Sequence, residues 1–100
     1  MDYHTAVTNA DYCFIMDDDS MEQAHIFHGD LVFVRQTTEI ESGKLMAVIL
    51  NGTVEIRRAW LTSGVVCFSS ASPREPIFRE LDDLGDVQII GVVTETRHLL

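Results

Sequence analysis

Leu45-Met46-Ala47-Val48-Ile49-Leu50-Asn51-Gly52-Thr53-Val54-Glu55-Ile56-Arg57-Arg58-Ala59-Trp60 is the stretch on which the fold turns. Two apolar-rich runs flank Asn-Gly, a pair whose members both tolerate the positive φ of a type I′ turn, so the stretch reads as a β-hairpin. The same pattern repeats outward in both directions. Asp11–Met16 reads as a strand, and Leu31–Gln36 as another, opened by the turn signal His28-Gly29-Asp30. Val65–Ser69 follows Ser63-Gly64, and Ile77–Leu81 follows the Pro73–Pro76 loop. Val87–Thr94 is a long apolar run with Gly91 inside it, which predicts a bulge or a close backbone approach. Ser20–His25 and Glu80–Leu84 have room for no more than a helical turn, and no stretch sustains an apolar period of 3.6. The expected fold is mainly β, a small rolled or barrel-like antiparallel sheet of about seven strands.

One hundred residues suffice for one domain, here expected over 11–100 after a lead-in over 1–10. A hydrophobic fraction of 46% supports a core, and a formal charge of −9 repels phosphate backbones, so direct nucleic-acid contact is not expected of this domain. No helix-turn-helix fits the sequence; a DNA reader, if the parent has one, would lie upstream. The apolar runs Leu45–Leu50 and Ile89–Val93 are far shorter than the ~20 residues of a membrane span, and the acidic, polar N-terminus is no signal peptide. A cytoplasmic location is expected. Cys13 and Cys67 sit in apolar runs and read as buried, reduced side chains. Neither has a second cysteine at metal-binding spacing, and no cofactor is expected.

The chemistry concentrates in Ile15-Met16-Asp17-Asp18-Asp19-Ser20-Met21 and Ile26-Phe27-His28-Gly29-Asp30-Leu31-Val32. A strand ends, a serine follows where a helical turn can start, and Gly-Asp leads into the next strand. Ser20 can serve as an N-cap with Gln23 as its capping-box partner, or as a nucleophile whose hydroxyl needs a nearby base. Asp17, Asp18 and Asp19 read as a solvated turn rather than a metal loop, since no ligand pattern accompanies them. His25 and His28 read as surface or loop residues rather than a metal pair or a pH sensor. Trp60 reads as core or rim packing.

These segments resemble the signature (G/D)-x-S-M … G-D-(apolar)-(apolar) of the LexA, UmuD and phage-repressor family of self-cleaving Ser–Lys peptidase domains. Four further pieces match in order: Gly43–Val48, Val54–Arg58, Ser70–Ile77 and Ile90–Val93. The resemblance spans about residues 11–97 and implies the LexA C-terminal fold. It implies that Ser20 occupies the nucleophile position, attacking a peptide bond upstream of its own domain. The family's base is a neutral lysine, and the match of Val54–Arg58 to V-x-(apolar)-K-R places Arg57 there. A guanidinium stays charged in proteins and cannot serve as a base near neutral pH. Lys44, the chain's single lysine, falls at the start of a different strand, where the family has no catalytic group. An asparagine of the family's loop is also absent from Ser70–Ser72. An ordinary alternative for Arg57 is a surface arginine paired with Glu55, on the same strand face.

The resemblance implies a C-terminal regulatory and dimerisation domain of a LexA-like or phage-type transcriptional repressor, with self-cleavage lost or crippled. It would act as a homodimer, with a RecA-type co-protease as a further partner in relatives, and the apolar Val87–Val93 strand suits the dimer. Two alternatives stand: a UmuD-like accessory domain that binds a translesion polymerase, and an active Ser–Lys self-peptidase working through Lys44 or an unusual arginine. On the first reading Arg57→Lys would restore cleavage if the rest of the cleft is intact.

Overall fold

The run Leu45–Leu50 lacks polar residues because both faces of its strand are covered. Met46, Val48 and Leu50 enter one apolar cluster with Ala59, Val66, Phe68 and Val87. Ala47 points the other way, into a cluster with Met16, Met21, Ile26, Val32, Val34 and Ile56. A computed structural model describes residues 10–71 and 75–98. Their elements are β1 (Tyr12–Ile15), a 3-10 turn (Glu22–Ala24), β2 (Leu31–Gln36), β3 (Leu45–Leu50), β4 (Thr53–Thr62), β5 (Val65–Ser69), β6 (Ile77–Glu80) and β7 (Val87–Arg97). The lead-in expected over 1–10 lies, apart from Ala10, outside the described residues.

The seven strands form one sheet in the order β1-β2-β7-β3-β4-β5-β6, every pairing antiparallel. It is the mainly-β fold the sequence predicts, and it is not closed: β1 and β6 are its edges. The β3–β4 turn has φ 51° at Asn51 and 78° at Gly52, as a type I′ turn requires. The two expected helical segments come to little: one is the short 3-10 turn, and the other is a turn with an isolated bridge between Glu80 and Asp83.

β7 lies between β2 and β3, hydrogen-bonded to β3 over Val87–Val92 and to β2 over Gly91–Arg97. Both pairings slip by one residue, and Gly91 sits where they meet. A Cβ built on Gly91 would stand 2.2 Å from the Arg35 carbonyl oxygen, so only glycine lets the two backbones come this close. Val87–Val92 is therefore apolar because it is a central strand. Val87 and Val92 are buried in it, while Gln88 is exposed and Ile89, Ile90 and Val93 are half-buried.

The cysteines depart from expectation: Cys13 is exposed and Cys67 half-buried, both with free thiols. Strand alternation explains Cys67, whose neighbours Val66 and Phe68 take the core face. Trp60 shares the outward row, opposite Cys67, which in turn lies opposite Phe78. Trp60 and Phe78 are exposed, so Trp60 is no core residue.

Candidate functional site

Ser20 and Arg57 meet. β1 ends at Ile15, and the chain turns through Met16–Asp19 so that Ser20 is completely buried. The backbone N–H of Ala71 donates to the Ser20 carbonyl (3.0 Å), and that of Gln23 to the Ala71 carbonyl (3.2 Å), which fastens the serine loop to the chain leaving β5. Arg57 lies on β4 opposite Met46 of β3, and its side chain is buried despite its charge. One Arg57 Nη1 hydrogen goes to Ser20 Oγ at 3.0 Å and another to the Ile56 carbonyl at 2.7 Å. Nη2 lies 3.3 Å from Glu55 Oε2. The expected Glu55 pairing thus holds together with the Ser20 contact, and Arg57 is not a surface residue.

The directions of these bonds follow from chemistry. A guanidinium has donors and no acceptor, so Arg57 donates to the serine oxygen. The Ser20 hydroxyl proton goes to Asp18 Oδ1, 2.7 Å away, and the same carboxylate oxygen accepts the Ser20 N–H at 3.0 Å. A buried charge is tolerable when its donors are matched, and here carboxylate, hydroxyl, guanidinium and carboxylate follow one another. The arrangement fixes the serine rotamer, but Arg57 presents no lone pair toward the hydroxyl proton.

The structure departs from the other roles read for these residues. Ser20 is not an N-cap: the 3-10 turn is capped by Met21 without a side-chain bond, and Gln23 bonds to Ala71 through its backbone. Asp18 is more than a solvated turn residue, because its carboxylate holds Ser20. Lys44 is exposed, whereas Ser20 and Arg57 are buried. His25 takes a left-handed conformation (φ 62°) after the 3-10 turn, and its ring meets Phe27 edge-on. Residues 72–74 of the loop, where part of the family's missing asparagine segment would fall, lie outside the described residues.

Sequence reading missed a second polar pair. Asp30 is buried; its Oδ2 accepts the Phe27 N–H at 2.8 Å, and its Oδ1 lies 2.6 Å from His98 Nδ1. Burial pushes the Asp30 carboxyl up, but the Phe27 N–H and the hydrogen bond and charge of His98 outweigh it and hold the group below the usual carboxylate range. The Gly29-Asp30 motif marked the turn. Nothing in the sequence spacing pointed to His98, 68 residues further on.

Beside the pair runs a groove of about 370 Å³ between β1 and the first half of β4. Phe14, Ile15 and Asp17 line one side, and Thr53, Val54 and Ile56 the other. β4 pairs with β5 only from Arg58 to Thr62, and β1 pairs only with β2, so each wall has a strand edge without a partner among the described residues. Asp17 and Ile56 are the chain neighbours of Asp18 and Arg57. Among the described residues no helix is long and apolar enough to cross a membrane.

Comparison with known proteins identifies relatives of the chain. The chain is 31% identical over 83 residues to the LexA repressor of Halorhodospira halophila, covering 83% of the chain and 37% of that protein. It is 30% identical over 81 residues to the LexA repressor of Magnetococcus marinus, covering 79% of the chain and 34% of that protein. With the LexA repressor of Anaeromyxobacter dehalogenans the figure is 29% over 76 residues, covering 75% and 33% respectively. The chain thus spans about a third of the length of these relatives. The family model described as Peptidase S24-like matches residues 2–94, and the chain belongs to that family, with a domain homologous to the C-terminal domain of LexA repressors.

Proposed function

We propose that this chain is the regulatory and pairing half of a LexA-like, cytoplasmic transcriptional repressor, and that it no longer cuts itself. One observation carries the second statement: the base position facing Ser20 is held by Arg57, which donates to the serine oxygen. Ser20 is the nucleophile position in this reading, and the groove between β1 and β4 is where an extended upstream segment would lie. With no amine base at position 57, the proton-transfer assistance that a neutral lysine would give, worth ~10²–10⁴ in rate, is missing. The remaining roles are those of a folded pairing module: a homodimer that would bring two upstream DNA readers to one operator.

The full-length parent, incubated at neutral pH, tests this. The expected result is no self-cleavage that depends on Ser20, with any residual cutting rising steeply in strong alkali. Brisk neutral cleavage, abolished by Ser20→Ala, would overturn the reading. If Lys44→Ala also abolished it, Lys44 would be the base. Sedimentation of the chain at micromolar concentration is expected to give a dimer, and a monomer persisting to several hundred micromolar would remove the pairing role.

A further inference from the structure

β6 is one edge of the sheet, and its inner side pairs with β5. The Leu81 N–H donates to the Gly64 carbonyl at 2.8 Å, one step beyond the Val65–Glu80 pair. Antiparallel hydrogen bonds recur at every second residue, so Arg79 and Ile77 also turn their backbone groups toward β5. Those of Phe78 and Glu80 turn outward. Two bonds mark this: the Phe78 carbonyl accepts from Arg79 Nη1 at 2.8 Å, and the Glu80 carbonyl from the Asp83 N–H at 3.0 Å. Outward N–H and C=O groups on an edge strand are a template for another strand. Phe78 is 59% exposed there, at the end of the cross-strand row Trp60, Cys67, Phe78.

We propose that a second copy of this chain occupies the edge, its β6 adding antiparallel to the first across a two-fold axis at Phe78. The inference rests on the pairing role proposed above and names its surface. The two copies keep matching faces together if the axis passes through a residue of β6. An axis through Arg79 or Glu80 sets like charges directly opposite, which is unfavourable. An axis through Ile77 sets Phe78 against Pro76, which has no N–H to give its carbonyl. An axis through Phe78 sets the two phenyl rings opposite one another, and Ile77 opposite the aliphatic stem of the partner's Arg79. The backbone fits this register. Each Phe78 N–H donates to the partner's Phe78 carbonyl, which has a second lone pair beside the one used by Arg79. Each Glu80 N–H donates to the partner's Pro76 carbonyl. The reverse bond is not needed, because Pro76 has no N–H and the Glu80 carbonyl already accepts from Asp83. So short an edge buries less than the ~800 Å² per partner of a standard interface, so a dissociation constant on the order of micromolar is expected.

Phe78→Cys, in a chain that also carries Cys13→Ser and Cys67→Ser, tests the register. The pairing brings the two substituted Cα atoms to ~5.5 Å, within disulfide range. Oxidised glutathione, taking up the two electrons and two protons, should convert this chain to a covalent dimer on a non-reducing gel. Glu80→Cys in the same background should stay unlinked, because its two copies stand four residues apart along the strands, ~14 Å. Sedimentation tests the surface. Phe78→Glu should weaken pairing at least tenfold while the circular dichroism stays that of the natural chain, because the side chain is exposed. Tyr12→Glu, exposed on the opposite edge strand, should leave pairing unchanged.

Should Phe78→Glu fail to fold, amide exchange of the natural chain decides. The Phe78 and Glu80 amides should slow as concentration rises through the dissociation constant, and rates that ignore concentration in a chain that dimerises sink the proposal. A dimer that survives Phe78→Glu, or that Glu80→Cys links and Phe78→Cys does not, overturns this surface and leaves the pairing role standing. A natural chain that stays monomeric removes the pairing role itself, and this surface with it.

Discussion

A single atom, Ser20 Oγ, shows how strongly chemistry at this site depends on which side chain stands opposite. Its hydroxyl donates to Asp18 and accepts from Arg57, so its one proton and one of its lone pairs are used for structure. Asp30 works in the same way some distance along the chain, anchoring the Phe27 N–H and the His98 ring. Its folded-state titration lies below its ordinary value, so its contribution is present above the unfolded value and lost as pH falls through the folded one. Asp30→Asn is expected to cost about 1–3 kcal/mol at neutral pH. Urea unfolding at several pH values checks it: the gap between the natural chain and the variant should close below the usual carboxylate range. A gap that stays constant from neutral pH to strong acid would show that the charge contributes nothing.

The elements carry their constraints in alternation and in the points where it breaks. On β5, core residues Val66 and Phe68 bracket Cys67, so the apolar company of a cysteine in sequence says little about its own burial. On β4 the alternation stops at Ile56 and Arg57, which are both buried because the serine loop covers what would otherwise be an open face. On β7 the register slips at Ile90 against β3 and at Thr94 against β2, and at Gly91, between them, the Arg35 carbonyl approaches. Gly91→Ala would force backbone apart in a packed sheet, at a cost near the upper end of the ~1–3 kcal/mol range for overpacking. A thermal midpoint within a degree of the natural chain would mean that the sheet relaxes more easily than its register suggests.

At the scale of the molecule, a seven-stranded sheet with β7 near its centre divides the apolar residues into two clusters, one on each face. The buried side chains of Val87–Val92 therefore belong to the core of one copy, as distinct from any surface on which two copies pair. Val92→Asp tests the distinction, because Val92 is buried and an unpaired buried charge costs several kcal/mol, a large share of the ~5–15 kcal/mol that stabilises a domain. The expected result is loss of cooperative unfolding by circular dichroism. A well-folded monomer would instead place this strand in an interface.

The local pattern of the chain by itself determined the strands and their turns. Runs such as Leu45–Leu50 and turn pairs such as Asn51-Gly52 are decided within a few residues by side-chain alternation and backbone φ, and the observed bounds follow them closely. The ordered motifs around Ser20 and Arg57 also brought those two residues into one reading. Tertiary structure alone decided the rest: that β7 is central, that Asp18 and Glu55 flank the Ser20–Arg57 pair, that Asp30 reaches His98, and that the cysteines face outward. Each of these depends on which strand lies beside which. The order of strands in a sheet is set by the packing of two faces at once, a sum over contacts between residues far apart in the chain that no local window contains.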